Sequence, residues 1–147
     1  MRTAAALALA AALALSAPAF GESIKLGPVK GASYIGVLRA ESISIHVARN
    51  GRTATVALPG PPLFCQGGSG PSKATSRPAK ISKGELKATI DYSSLSNHKV
   101  YATVHVQATF YKFGSSAPVA QGFVKSSFTA AGAKSCGGQE SFEAILG

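Results

Sequence analysis

Val100 to Phe113 reads VYATVHVQATFYKF. Every second residue from Val100 to Phe110 is apolar: Val100, Ala102, Val104, Val106, Ala108 and Phe110. Between and after them stand Tyr101, Thr103, His105, Gln107, Thr109 and Tyr111. Alternation held this long, in β-branched and aromatic types, predicts one long strand with a buried face and a polar face. The rest of the chain is expected to cover the buried face. On the polar face Tyr101, His105, Gln107 and Tyr111 stand in a row and form the first place on a sheet to look for a ligand. The plain alternative is an ordinary solvated face.

Short strands with turn signals between them flank this stretch. Leu86, Ala88, Ile90 and Tyr92 alternate with Lys87, Thr89 and Asp91, predicting a strand from Glu85 to Tyr92 that enters the long one. On the other side, Val119 to Phe128 is a weaker strand with Gly122 inside it; both parities carry apolar residues, which leaves its buried face undecided. Gln139 to Leu146 ends the chain, with Phe142, Ala144 and Leu146 on one face. Further upstream, Ser42 to Leu58 reads as a hairpin around Asn50-Gly51. A two-residue type I′ loop there pairs Arg49 with Arg52, Val47 with Ala54, Ile45 with Val56 and Ile43 with Leu58. Ser33 to Leu38 is a first strand, in which Gly36 marks a bulge or a close approach. Gln66 to Lys80, rich in Gly, Ser, Pro and Lys, reads as a long loop. The sum is an all-β chain of about seven or eight strands, expected as an antiparallel β-sandwich of immunoglobulin-like or similar type, with a barrel as the other architecture.

The first nineteen residues read as an export signal. Met1-Arg2-Thr3 is a positive start, Ala4 to Leu15 an Ala/Leu run, and Ala17 and Ala19 fit the small-residue rule for a cut between Ala19 and Phe20. The expected division is a cleaved signal over 1–19, a leader over 20–32 and a single domain over 33–147. After the cut fourteen Lys and Arg face six acids, a net charge of +8. No second apolar run of membrane length follows. The two cysteines, Cys65 and Cys136, form an even pair in an oxidising compartment, which predicts one disulfide. The protein is expected to be secreted: extracellular, or periplasmic and wall-associated.

Catalytic patterns are sparse. His46, His98 and His105 stand at no ligand spacing from other His, Cys, Asp or Glu residues, so no metal or other cofactor is expected. Cys136 with a histidine would make a thiol nucleophile, but Cys65 offers it a simpler partner. Gln66 to Lys73 lacks the spacing of a phosphate loop, and Gly68-Ser69-Gly70 lacks that of a nucleophile elbow. The one concentrated charge feature is Lys73, Arg77, Lys80, Lys83 and Lys87, diluted only by Glu85. With tyrosines nearby, these bases suit a polyanion or a glycan; the plain alternative is a solvated cationic loop.

Certain marks occur together: Tyr34-x-Gly36, Ile43-Ser44-x-x-Val47 running into Gly51, Cys65 before a polar loop, Gly84-x-Leu86, Gly122-x-Val124, and Cys136-Gly137-Gly138 leading to a last strand. In that order the chain resembles a group of small uncharacterised secreted β-proteins common in actinobacteria and related soil bacteria. Leu86 stands where that group suggests an aromatic, and Phe142 is the nearest substitute for a Trp in the last strand. The resemblance implies an extracellular sandwich with one disulfide and carries over no active site. Three functions are therefore weighed. The first is a non-enzymatic exported binding or cell-surface accessory module. The second is a cationic binder of wall polymer, glycan or another anionic surface through 66–87. The third, and least supported, is a hydrolase.

Overall fold

A computed structural model describes residues 23–38, 41–61, 72–128 and 137–147. It is all-β: β1 (Ser23–Lys25), β2 (Ser33–Leu38), β3 (Glu41–Val47), β4 (Thr53–Ala57), β5 (Ser72–Ser76), β6 (Ala79–Ser82), β7 (Glu85–Ser94), β8 (Val100–Phe113), β9 (Val119–Phe128) and β10 (Gly137–Leu146). The hydrogen-bonded order runs β8, β9, β10, β2, β3, β4, β6, β7 and returns to β8. Eight antiparallel strands thus close into one barrel, and the expected sandwich is corrected to the other architecture considered. Period-two alternation is common to both folds; pairing between non-adjacent strands, here β10 with β2 and β4 with β6, makes the difference.

The two remaining strands lie on the same wall. β7 pairs with β8 as far as Thr109, and β1 then takes over that edge from Tyr111 to Phe113. On β7, β6 pairs at Glu85 and Leu86, and β5 at Ile90 to Ser94. Between the pairs Ser76–Ile90 and Ile81–Leu86 the β5–β6 strand carries one residue more than β7, a bulge that contains Arg77 and Pro78. Proline has no N–H for a ladder, which suits it to such a break. β5 and the first part of β6 fall where the sequence predicts loop. Their residues are mostly polar and exposed, and pairing along β7 makes them strand.

The interior follows the expected parity nearly everywhere. Ala102, Val104, Val106, Ala108 and Phe110 are buried on β8, Leu86, Ala88, Ile90 and Tyr92 on β7, and Phe142 and Ala144 on β10. β9 turns Ala120, Val124 and Ser126 inward, which decides its face. The exception is the start of β8. The register shifts there, with Tyr92 opposite Ala102 but Ser93 opposite Val100, so Tyr101 is the extra residue of a bulge. Val100, expected inside, is exposed, and Tyr101, expected on the polar face, packs against the core. A bulge re-aims side chains in this way.

The β3–β4 register is as predicted, Val47 opposite Ala54 and Ile45 opposite Val56, but the turn is of another kind. Only Gly51 has a positive φ; the Ala48 carbonyl accepts from Gly51 N, and the Asn50 side chain accepts from Arg52 N. This turn keeps the same pairing, so the hydrophobic pattern decided the register and Asn50 stays right-handed. A two-residue turn with both central φ values positive lies instead at Lys83-Gly84, between Ser82 and Glu85.

A tyrosine fills each end of the barrel. Tyr34 meets Phe110 edge-on at 5.1 Å, and its hydroxyl accepts from Val29 N at 3.0 Å. At the other end the Tyr92 hydroxyl donates to the Leu58 carbonyl at 2.7 Å. Burial pushes both phenols above their ordinary pKa. Unfolding returns them to about 10. Above about pH 10 the unfolded chain therefore holds fewer protons than the folded one, and stability falls as pH rises.

The outward residues of β7 are Glu85, Lys87, Thr89 and Asp91, whereas β2 and β10 expose Ile35, Val37 and Ile145. No helix among the described residues is long and apolar enough to cross a membrane.

Two outcomes are expected in chemical denaturation. A Cβ at Gly122 would run into the Gln107 carbonyl and lie 2.9 Å from Ala108 Cα, both backbone atoms of β8. Gly122→Ala should cost about 1–3 kcal/mol, the range for overpacking. Tyr92→Phe should cost about 1–2 kcal/mol by leaving the Leu58 carbonyl short of a donor, and should remove its share of the stability loss above pH 10.

Candidate functional site

Strand alternation sends every second connection to the same end of an antiparallel barrel. At one end lie the β1–β2 connection, the β3–β4 turn, the Lys83-Gly84 turn and the end of β8. With the strand ends beside them these segments carry Lys25, Lys30, Arg49, Arg52, Lys80, Lys83 and Lys112; of the described acids, Glu85 stands beside Lys25, and Glu143 lies in the same ladder row as Glu85 through Thr109 and Gln121.

Local contacts make the bases neighbours. A Cβ on Gly51 would lie 2.9 Å from Lys30 Cγ, and one on Gly31 would lie 3.8 Å from Arg49 Cγ. Ile81 N donates to the Arg52 carbonyl at 2.7 Å, which sets Arg52 beside β6, and Thr53 is opposite Lys80. Lys112 is opposite Ile24, next to Lys25. The Lys25 ammonium donates to Glu85 Oε1 at 2.6 Å, an ion pair in which both side chains are 41% exposed. That hydrogen bond and charge hold the Glu85 carboxyl below its ordinary pKa, with Lys87 and Lys83 adding to the pull. Lys25, Lys80, Ser82, Lys83, Glu85 and Lys87 line an open cleft of about 370 Å³.

The bases singled out from the sequence do not form one patch. Lys80, Lys83 and Lys87 share this cleft. Lys73 is opposite Ser93, towards the other end of the barrel. Arg77 lies in the bulge, by a separate hollow lined by Thr75, Pro78, Thr89 and Asp91. Arg49 and Arg52 at the hairpin tip, and Lys25, Lys30 and Lys112, lie outside the linear cluster Lys73 to Lys87. Counting charge on alternate connections of a strand meander is the signal that finds them.

The polar row of β8 is also divided. His105 is exposed, between Thr89 and Lys125 on the neighbouring strands, and its Nδ1 lies 3.2 Å from Thr89 Oγ1. Gln107 lies between Lys87 and Phe123. Tyr111 is at the basic end, beside Lys25 and Val119, with its ring tilted against Phe113 at 6.2 Å. Tyr101 leaves the row for the core, where its hydroxyl is buried without a hydrogen-bond partner among the described residues, as is that of Ser126.

His46 and His98 are exposed, and no group of three metal-ligating side chains occurs among the described residues. Cys65, Cys136 and the Ala19–Phe20 cut lie outside the described residues. Comparison with protein-family models, curated proteins and solved structures gives no match.

Removing the Glu85 carboxylate should change charge without changing fold. Glu85→Gln is expected to leave the unfolding midpoint nearly unchanged, because exposed ion pairs contribute little, and to free Lys25. Thermal unfolding beside amide chemical shifts of Lys25 and Lys83 checks both.

Proposed function

We propose that this chain is an exported, non-catalytic barrel that holds an anionic polymer through the basic rim at its hairpin end. The observation that carries the reading is that rim: among the described residues, seven bases from separate connections and strand ends are brought to one end by barrel closure, against Glu85 within the rim and Glu143 on the adjoining wall. Gathering like charges works against folding and is retained where it serves association, since clustered charge raises the local concentration of counter-ions and speeds encounter. What closure assembles there is a large excess of positive charge, which suits holding an anion; the reading as a binder rather than a hydrolase rests on that.

Export is supported by the residues read as a signal over 1–19 and fits a wall polymer or extracellular glycan as partner. The proposed Cys65–Cys136 disulfide is supported by the described chain on either side. Pro61, after β4, and Gly137, at the start of β10, both lie at the end of the barrel opposite the basic rim. The likeness to small secreted β-proteins of soil bacteria supports the same reading.

Retention on a heparin column tests the binding. The mature protein should be held at low salt and released as ionic strength screens the rim. A variant with Arg49, Arg52, Lys80 and Lys83 changed to Ser should elute near the void, and one with Lys73 and Lys99 changed should not. Equal retention of both variants would overturn the proposal. Intact-mass measurement of exported protein should find Phe20 first and two hydrogens fewer than the reduced chain.

A further inference from the structure

Resting on the rim reading, we infer that the cleft around the Lys83-Gly84 turn is the principal contact point: a site for one phosphate group of a linear polyphosphate or polyol-phosphate chain, with Lys83 as its central ligand. The backbone of the turn supports this. Lys83 has φ +50, in the left-handed region, and Gly84 follows at +73. Asn, Asp and Gly take the first of these positions at little cost, whereas a lysine there is strained. His98 shares this region at φ +56 in an exposed loop; Lys83 differs from it in standing on the wall of the basic cleft, which is what joins the outlier to a use.

The turn is also clamped. Phe110 N donates to the Gly84 carbonyl at 3.0 Å, and Leu26 N donates to the Phe110 carbonyl at 2.9 Å. A Cβ on Gly84 would lie 2.5 Å from the Leu26 carbonyl oxygen and 3.5 Å from Lys25 Cε. The Lys25 stem therefore lies over Gly84, beside the root of Lys83. Two lysines from chain segments nearly sixty residues apart are held side by side by backbone contacts, so their positions are set before a ligand arrives. Lys80 and Lys87 complete the walls, and Ser82 offers a hydroxyl. Lys80, Lys83 and Lys87 have no carboxylate within 4.0 Å among the described residues; Glu85 is hydrogen-bonded to Lys25, and its charge also acts on Lys83 and Lys87 from further off.

The chemistry of the cleft selects the ligand. Its cations are all lysines, compact charges with rotatable donors, rather than the planar forks that arginine offers to a carboxylate. No aromatic ring lines it, so it has no platform for a nucleobase. An anionic group repeated along an unstacked chain fits these walls, and Lys30, Arg49, Arg52 and Lys112 lie along the rim on either side to take the next groups.

The experiment measures binding of linear inorganic polyphosphate, a few tens of phosphates long, to the mature protein by calorimetry across salt concentrations, together with thermal unfolding. Wild type should bind with affinity that falls as salt rises. Lys83→Asn should bind about fivefold more weakly and yet melt about 3 °C higher, because the strain is relieved. Glu85→Gln should bind more tightly, because the competing carboxylate is gone. Lys73→Ser should match wild type within twofold. Polyphosphate binding that Lys83→Asn leaves intact, while loss of Arg49 and Arg52 abolishes it, would overturn this site and leave the rim reading standing. No binding by wild type would overturn both. Single-stranded DNA bound more tightly than polyphosphate of equal length would overturn the assignment of the ligand.

Discussion

Closing one sheet on itself limits how much side chain the interior can hold, and the structure is organised around that limit. Eight strands leave an interior that side chains must just fill. The chain meets this with small inward residues: Ala54, Ala88, Ala102, Ala108, Ala120 and Ala144 are all buried, and Gly36 and Gly122 stand at inward positions where another strand's backbone comes close. At Gly36 a Cβ would lie 2.5 Å from the Glu143 carbonyl. This contact is on the β2–β10 seam, where the two ends of the barrel sequence are joined. The large residues are then affordable in a few places only. Tyr34 with Phe110 fills one end and Tyr92 the other, and each tyrosine reaches a backbone group with its hydroxyl.

The same closure sets what the surface can do. In a sandwich of these strands the β6–β7 turn and the β3–β4 turn need not meet. Here the short β4–β6 ladder, two residue pairs long, brings them together, with the Arg52 carbonyl accepting from Ile81. β1 is only three residues long, yet it covers the end of β8 and delivers Lys25 to the Lys83-Gly84 turn. The basic rim is thus a consequence of pairings between strands distant in sequence. Four of its bases, Lys30, Arg49, Arg52 and Lys83, stand in connections, and the other three, Lys25, Lys80 and Lys112, on strands but outside the buried core.

These facts explain which parts were legible from the sequence. Alternation along β7, β8 and β10 gave strands, inward faces and the β3–β4 register, because burial of a face is written in every second residue. The inward alanines and glycines were equally visible. They signal a narrow interior, which favours a barrel, but they were read only as apolar or permissive residues. The bulge at Tyr101 was hidden because VYAT continues a perfect alternation; the shift arises from Ser93 meeting Val100 across the ladder. β5 was hidden because SKATS has no apolar face and is strand only by virtue of the edge it joins. The rim was hidden for a related reason: the linear cluster Lys73 to Lys87 drew attention, whereas three-dimensional clustering follows alternate connections.

Lys83 shows how such sites are told from background charge. Most surface lysines sit on backbone that any residue adopts, so their position says nothing about use. A lysine in left-handed backbone, followed by a glycine that no side chain could replace without striking the Leu26 carbonyl, is held in place at a cost. Asparagine would remove that cost and keep the turn. The local preference of the turn and the charge of the residue therefore oppose each other. The phosphate site proposed above is the use that the charge at Lys83 would serve.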